Sequence, residues 1–156
     1  MINNLIELLN YNNIYLIVNY GVLPFWLLLI ILPTHSLTNF LVQSIFVPLI
    51  LATAYCFVAY NIFIDESILD GFELYLGLDG LYSMFSNEAF LLVFWIHFLA
   101  LSLFLGTWIV RDSNKYIVPR FITILSLIIT YFTGPVGLLF YWFFRIFFAK
   151  KISFND

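Results

Sequence analysis

The chain has 156 residues, of which 63% are hydrophobic, 21% aromatic and only 10% charged, and its formal net charge is −3. Soluble domains average about 45–50% apolar and about 25% charged residues, so a water-soluble fold of this composition would expose large apolar patches. We therefore predict an integral membrane protein, and the composition excludes a soluble enzyme and a nucleic-acid-binding protein.

Length and hydropathy predict an all-α membrane protein with a single transmembrane domain over residues 1–156, a bundle of about four transmembrane helices. The four apolar runs cover about residues 14–32, 40–63, 88–110 and 120–148. Before the first run, residues 2–9 have apolar positions at helical spacing, which is typical of a short helix at the membrane surface.

The first two apolar runs contain prolines, and one polar connection follows them. Pro24 removes a backbone donor inside the first run and predicts a kink there, and Pro48 lies near the start of the second. Residues 65–87 are the one long polar connection, and residues 68–76 place apolar side chains at helical spacing. This pattern favours a short amphipathic surface helix between transmembrane helices 2 and 3 over a solvated loop, with Gly77 and Gly80 expected to end it.

The third run has a recognisable helix start, and the fourth run is interrupted. Ser86 or Asn87 is the expected cap of the third helix, with Glu88 in its first turn. The sequence RDSNKYIVPR at 111–120 predicts a short polar hinge. The fourth run is interrupted by the pair Gly134-Pro135, so it forms either one kinked crossing, which we favour, or a segment that enters the membrane and returns.

Charge is segregated along the chain. Residues 1–110 contain seven acids and no Lys or Arg, whereas residues 111–156 contain all six bases. The positive-inside rule places the loop with Arg111, Lys115 and Arg120 on the cytoplasmic, stromal or matrix side. Four crossings then place both termini outside, but Arg145, Lys150 and Lys151 favour the inner side for the tail (a conflict that these residues alone leave open).

His97 lies near the middle of the third apolar run, and an ionisable group at that depth is by default a candidate functional residue. At helical spacing it shares one face with aromatic side chains and a guanidinium: Phe90, Val93, His97, Leu101, Phe104, Trp108 and Arg111. The alternative is a neutral histidine that bonds across the bundle. Haem ligation is disfavoured because His35 is expected at a membrane surface, and no metal site is predicted.

The third run also carries a family resemblance. The segments WIHFLALSLFLGTWIVRDS at 95–113, VPR at 118–120 and TGPVGLLFYWFFR at 133–145 resemble the abscisic acid-deficient 4-like family of small membrane proteins. Residues 19–33 and 77–85 resemble the amino half of that family more loosely. The chain departs from the family at Leu101-Ser102, where members often have an acid.

The resemblance implies four transmembrane helices and a role in carotenoid chemistry. Plant members of the family are plastid proteins needed to convert violaxanthin to neoxanthin, which is an isomerase-like rearrangement of an epoxide carotenoid. The shared face of the third run and the matched family segment together suggest site residues. No catalytic residue is assigned, and the candidates are His97, Arg111 and Asp112. The candidate ligand-binding residues are Trp95, His97, Phe104, Trp108 and Arg111. The implied ligand is a carotenoid (xanthophyll) or a lipid.

Two functions stay open from the sequence. The first is a carotenoid-modifying or carotenoid-binding membrane protein. The second is a non-catalytic accessory or assembly subunit of a photosynthetic or respiratory membrane complex, whose partners would be other membrane subunits beside the lipids. The expected location is a bacterial inner membrane or an organellar membrane (plastid or thylakoid before mitochondrial inner).

Overall fold

The computed structural model describes residues 10–44, 46–65 and 75–150, and this part of the chain is helical, with no strand. The helices in chain order are α1 (Tyr11–Gly21), α2 (Leu23–Ile31), α3 (Ser36–Leu41), α4 (Phe46–Asp65), α5 (Leu78–Phe85), α6 (Glu88–Lys115), α7 (Arg120–Thr133) and α8 (Pro135–Ala149).

Three helical stretches among the described residues are long and apolar enough to cross a membrane, judged by length and composition. They are Tyr11–Ile31, Ser36–Ile62 and Glu88–Lys115. They coincide with the first three predicted runs, and the prediction of an all-α integral membrane protein is confirmed. The number of crossings stays a prediction, because residues 120–148 form two shorter helices.

The start of α6 follows the predicted capping pattern. The Asn87 side-chain oxygen accepts hydrogen bonds from the backbone N–H groups of Ala89, at 2.9 Å, and Phe90, at 3.2 Å. The helix then continues to Lys115, five residues beyond the predicted end at 110, so the first half of the expected polar hinge is helical.

The predicted surface helix between transmembrane helices 2 and 3 falls mostly on residues 66–74, and the predicted N-terminal surface helix falls on residues 2–9; both segments lie outside the described residues. A helix that the sequence did not suggest, α5, forms at residues 78–85 and runs through Gly80. Gly77 precedes it with a φ of 147°, a backbone conformation that side chains with a Cβ rarely adopt.

The chain divides into two compact units, Met1–Val22 with Leu49–Phe98, and Leu23–Pro48 with Leu99–Asp156. The first unit contains α1, most of α4, α5 and the first part of α6. Its buried side chains are apolar and branched or aliphatic: Ile14, Val18, Val22, Leu51, Val58, Met84, Ala89, Leu92, Val93 and Ile96.

In the second unit, α2 packs against the later part of α6 and against α7. Trp26 is buried beside Gly106, where an added Cβ would lie 2.9 Å from the indole ring, and its ring meets Tyr131 edge-on at 5.5 Å. Gly106 thus admits a tryptophan between helices, as small residues do in membrane bundles. At the end of α2 the carbonyl of Ile31 accepts a hydrogen bond from Arg120 Nη2 at 2.7 Å.

Helices α7 and α8 form a hairpin. Their buried faces are the polar stripe Thr123, Ser126 and Thr130 with Leu127 on α7, and Gly137, Tyr141 and Arg145 on α8. The backbone reverses at Gly134, which has a φ of 60° and donates its N–H to Thr130 O at 2.8 Å. Gly137 lies so close to the backbone of Thr130 that the two helices touch through their main chains.

The direction of α8 follows from its contacts. A continuous helix starting at Arg120 would carry residue 145 about 37 Å away. Arg145 instead bonds Asp112 at 2.6 Å, and the start of α7 is held near the same place because the N–H of Val118 bonds Ser113 O at 2.9 Å. Residues 120–148 therefore fold back at Gly134-Pro135, which is the second of the two alternatives that the interruption allowed.

Each arm of the hairpin is too short for a standard crossing. The arms have 14 and 15 residues, whereas a helix that spans the hydrocarbon core needs about 20. A hairpin that enters and leaves by one face would place Arg145 and Lys150 on the same side as Arg111 and Lys115. This arrangement removes the charge conflict that four full crossings create.

We expect Gly137→Ala to lower the stability of the protein by about 1–3 kcal/mol, because the new methyl group would overlap the Thr130 backbone, which cannot move aside as a flexible side chain would. Gly21→Ala is the matched control, since nothing lies within 4 Å of an added Cβ there. Thermal unfolding in a mild detergent measures both; equal midpoints for the two variants would contradict the close approach.

The hairpin also predicts the sidedness of two lysines. In a Cys56→Ala background, Lys115→Cys and Lys150→Cys should react with a membrane-impermeant maleimide from the same side of sealed vesicles, because both ends of the hairpin return to one face. Ser86→Cys, which precedes α6 at its other end, should react from the opposite side. Labelling of positions 115 and 150 from opposite sides would establish a single crossing instead.

Candidate functional site

A buried ion pair joins the end of α6 to α8 in the second unit. Arg145 Nε donates to Asp112 Oδ2 at 2.6 Å, and Arg145 Nη2 donates to Asp112 Oδ1 at 3.2 Å. Arg145 is fully buried and Asp112 is 9% exposed. The two-point geometry matches a guanidinium to a carboxylate, which is the strongest form of this interaction.

Aromatic residues surround the pair and add a third donor. The Tyr141 hydroxyl, also buried, donates to Asp112 Oδ2 at 2.7 Å. The guanidinium of Arg145 lies 4.5 Å from the centre of the Tyr116 ring, within cation–π range. Trp108 meets the Tyr141 ring edge-on at 5.9 Å. The cluster of Trp108, Asp112, Tyr116, Tyr141 and Arg145 is called the Asp–Arg cluster below.

This arrangement determines what Asp112 can do chemically. Both carboxylate oxygens accept hydrogen bonds, and one partner carries a full positive charge. Asp112 is thus suited to fix the helices and to orient Tyr141 and Arg145.

A recess opens beside the Asp–Arg cluster on the outer face of α6. It has a volume of about 480 Å³, and its lining combines one acid, two cations, two aromatic rings and a hydroxyl: Phe104, Thr107, Trp108, Arg111, Asp112 and Lys115. These positions follow helical spacing, so the lining is one stripe of α6 whose composition changes from apolar at Phe104 to cationic at Lys115. We call it the α6 recess.

The structure brings four of the sequence-predicted residues together in the α6 recess. Phe104 and Arg111 are exposed, Trp108 is half-buried, and Asp112 forms the buried back of the recess. The face that the sequence predicts for the third helix thus lines the α6 recess at the carboxyl end of α6, through Phe104, Trp108 and Arg111. Of that predicted face, His97, Leu101, Phe104 and Arg111 are exposed, whereas Val93 is buried.

The other two predicted residues belong to the first unit. Trp95 stacks on Phe98 at 5.4 Å and lines a separate recess of about 370 Å³ with α1 residues. Its indole Nε1–H is buried and donates to no acceptor in the described part of the chain. His97 is exposed, and its ring lies 6.2 Å from that of Tyr55.

The sequence reasoning missed Arg145 and Tyr141, which complete the Asp–Arg cluster. The charge pattern places Arg145 only among the basic residues of the tail. A signal was nevertheless present, because Gly137, Tyr141 and Arg145 recur every four residues and so share one face of an apolar helix. An arginine on the small, polar face of such a helix requires a buried carboxylate, and Asp112 is the acid nearest to it in sequence within the apolar part of the chain.

Comparison with known proteins identifies the family. The model of the ABA DEFICIENT 4-like family matches residues 13–141, well over half of the chain, and the chain belongs to that family. The resemblance noted at residues 95–113 is thereby confirmed. No curated protein and no solved structure matches the chain.

Removing one partner of the buried ion pair should lower the stability of the protein. We expect Arg145→Leu to destabilise the protein by about 3–5 kcal/mol, because it leaves the Asp112 carboxylate buried without its cation. The double variant Asp112→Asn with Arg145→Leu should recover part of the loss, since no charge is then buried. Thermal unfolding of single and double variants measures the coupling.

Arg111→Gln is the matched control for that cycle, since it removes an exposed guanidinium from the neighbouring position of α6 and should change stability little. Additive losses in the double variant would show that the two side chains do not stabilise the hairpin as a pair.

Proposed function

We propose that this member of the ABA DEFICIENT 4-like family binds a carotenoid in the membrane, with the oxygenated end of the xanthophyll in the α6 recess. The supporting observation is the composition of that recess, where aromatic walls stand next to hydrogen-bond donors on one helix stripe. Ligand sites of this kind combine an apolar lining with a few placed polar groups. The membrane would be a bacterial inner membrane or a thylakoid-type organellar membrane.

The outward face of α6 supports a long apolar ligand. Phe104 is 64% exposed at the apolar end of the recess, and Leu101, one turn further along α6, is 50% exposed. A polyene that leaves the recess in this direction would lie along the helix. Its length suits the bilayer, whose hydrocarbon core is about 30 Å thick.

The chemistry available to an epoxide end ring is hydrogen bonding by Arg111. An epoxide opens when its oxygen is stabilised as charge develops, and a guanidinium offers several N–H donors for this purpose. Asp112 would contribute indirectly by holding the helices in register. An isomerase-like rearrangement is therefore proposed only as an extension of binding, with Arg111 as the residue that contacts the reacting oxygen.

One observation favours the alternative role as an accessory subunit. His97 is exposed on the outer face of an apolar helix, where an imidazole in contact with lipid chains is costly. A neighbouring membrane subunit that covers His97 and Tyr55 would remove that cost. Purification of the chain in a stable complex of fixed composition, without pigment, would favour this role over carotenoid binding.

Pigment retention tests the proposal. Expressed in a carotenoid-producing host and purified in mild detergent, the wild-type chain should retain a polyene with its characteristic visible absorption bands. Phe104→Ala should reduce the bound pigment several-fold by removing the apolar wall, because fully burying a phenylalanine side chain is worth about 1.5–3 kcal/mol and a ligand would cover only one side of Phe104. Chromatography of the extracted pigment measures the ratio of pigment to protein.

Phe132→Ala serves as the control, because Phe132 is an exposed phenylalanine of α7 that does not line the α6 recess. Pigment lost equally from both variants would indicate adsorption to apolar surfaces in general. A deletion strain with unchanged carotenoids and a pigment-free purified protein would together eliminate the carotenoid role.

A further inference from the structure

The amino-terminal parts of α1 and α6 form the recess that Trp95 lines. Tyr11 and Tyr15 are four residues apart on α1, and Glu88 and Trp95 are two turns apart on α6, so each helix contributes one stripe of side chains. The volume is about 370 Å³, within the range of about 300–1,000 Å³ that is usual for small-molecule sites. All of these residues belong to the first unit. We call it the α1–α6 recess.

The lining of the α1–α6 recess changes from polar to apolar along both helices. Asn12 and Glu88, in the first turns, are exposed, whereas Leu92, one turn further along α6, is buried. Asn87 caps α6 by accepting hydrogen bonds from two backbone N–H groups, so the cap does not use the Glu88 side chain. The polar end therefore suits a head group, and the apolar end suits a chain of carbon atoms.

The charge of the recess is negative. Among the described residues that line it, only Glu88 carries a formal charge. Residues 1–110 contain seven acids and no Lys or Arg, and the first unit lies wholly within them. A cationic ligand would therefore meet no competing lysine or arginine of this unit at the Glu88 carboxylate, whereas an anionic ligand would be repelled.

Aromatic rings form the walls beside that carboxylate. The rings of Tyr15 and Trp95 lie 6.2 Å apart, centre to centre, with their planes tilted by 42°, so they are adjoining walls rather than a stack. Tyr11 precedes Tyr15 by one turn and lines the same recess. Aromatic faces attract cations within about 6 Å of the ring centre, and quaternary ammonium groups in particular are recognised in this way.

We propose that the α1–α6 recess binds a phospholipid by its quaternary ammonium group, that is, by a phosphocholine head. A quaternary ammonium has no N–H to donate, so ring faces and a carboxylate suit it better than a set of hydrogen-bond acceptors does. The ammonium lies against Tyr15 and Trp95 within reach of Glu88. The amide of Asn12 supplies N–H donors for the phosphate, and an acyl chain follows Leu91 along α6.

Three phospholipids with identical acyl chains test the head group. We expect the full chain, purified in dodecyl maltoside, to bind phosphatidylcholine about five- to tenfold more tightly than phosphatidylglycerol, which has no ammonium group. It should also bind phosphatidylcholine about twofold or more above phosphatidylethanolamine, which lacks the methyl groups that contact the rings. Native mass spectrometry of the chain titrated with each lipid measures the fraction that carries one lipid molecule.

Variants of the lining locate the effect. Glu88→Gln should reduce the preference for phosphatidylcholine over phosphatidylglycerol to about twofold or less, because it removes the only formal charge of the described lining. Tyr15→Leu should reduce it in the same direction by removing a ring face, whereas Tyr15→Phe keeps the ring and should keep the preference. Thermal unfolding of each variant shows that the fold is retained, and Tyr15→Phe and Glu88→Gln decide the matter if Tyr15→Leu does not fold.

Two residues of α5 provide matched controls in the same unit. Asp79→Asn removes an exposed acid and Tyr82→Leu removes an exposed tyrosine, both outside the lining of the α1–α6 recess, so both should leave the preference intact. If Asp79→Asn abolished the preference as fully as Glu88→Gln, the general acidity of the unit would explain the binding and the inference would fail.

Equal binding of phosphatidylcholine and phosphatidylglycerol by the wild-type chain would overturn the inference, and equal binding of phosphatidylcholine and phosphatidylethanolamine would overturn the quaternary specificity. The inference goes beyond the proposed function and does not depend on it. Glu88→Gln should leave pigment retention unchanged, because Glu88 does not line the α6 recess.

Discussion

An arginine that is fully buried in an apolar helix needs a carboxylate close by, and Asp112, 33 residues earlier, provides it. Two charges removed from water are tolerated only when their geometry is good and their remaining hydrogen-bonding groups are satisfied. Here the guanidinium fork and the Tyr141 hydroxyl together engage both oxygens of Asp112. The pair is therefore a constraint on the fold, because any arrangement of α8 that moves Arg145 away from α6 leaves two buried charges unmatched.

The hairpin of α7 and α8 satisfies that constraint. Its reversal at Gly134 and the contact of Gly137 with the Thr130 backbone bring the helices close enough for residue 145 to return to the end of α6. The buried hydroxyls of Ser126 and Thr130 bond carbonyls one turn earlier, each at 2.7 Å, so the polar face of α7 is satisfied within its own helix. The close approach of Gly137 to Thr130 and the ion pair of Arg145 with Asp112 thus position α8.

The features that could be predicted from the sequence are those that depend on a local pattern of residues. Hydropathy located three helical stretches. Asn87, one of the two expected caps, does cap α6, and the segment around Trp108 indicated the family. What it left open depends on contacts between distant residues. Gly134-Pro135 allows a kink or a reversal, and the choice is made by the partnership of Arg145 with Asp112, which lies 33 residues earlier in the sequence. The exposure of His97 likewise depends on which face of α6 the neighbouring helices cover.

The same ion pair shapes the chemistry of the α6 recess. Asp112 lines that recess with Arg111 and Lys115, and Arg145 engages both of its oxygens from α8. The residue that closes the hairpin therefore also fixes the position of the acid in the recess. A displacement of α8 would change the polar lining on the outer face of α6.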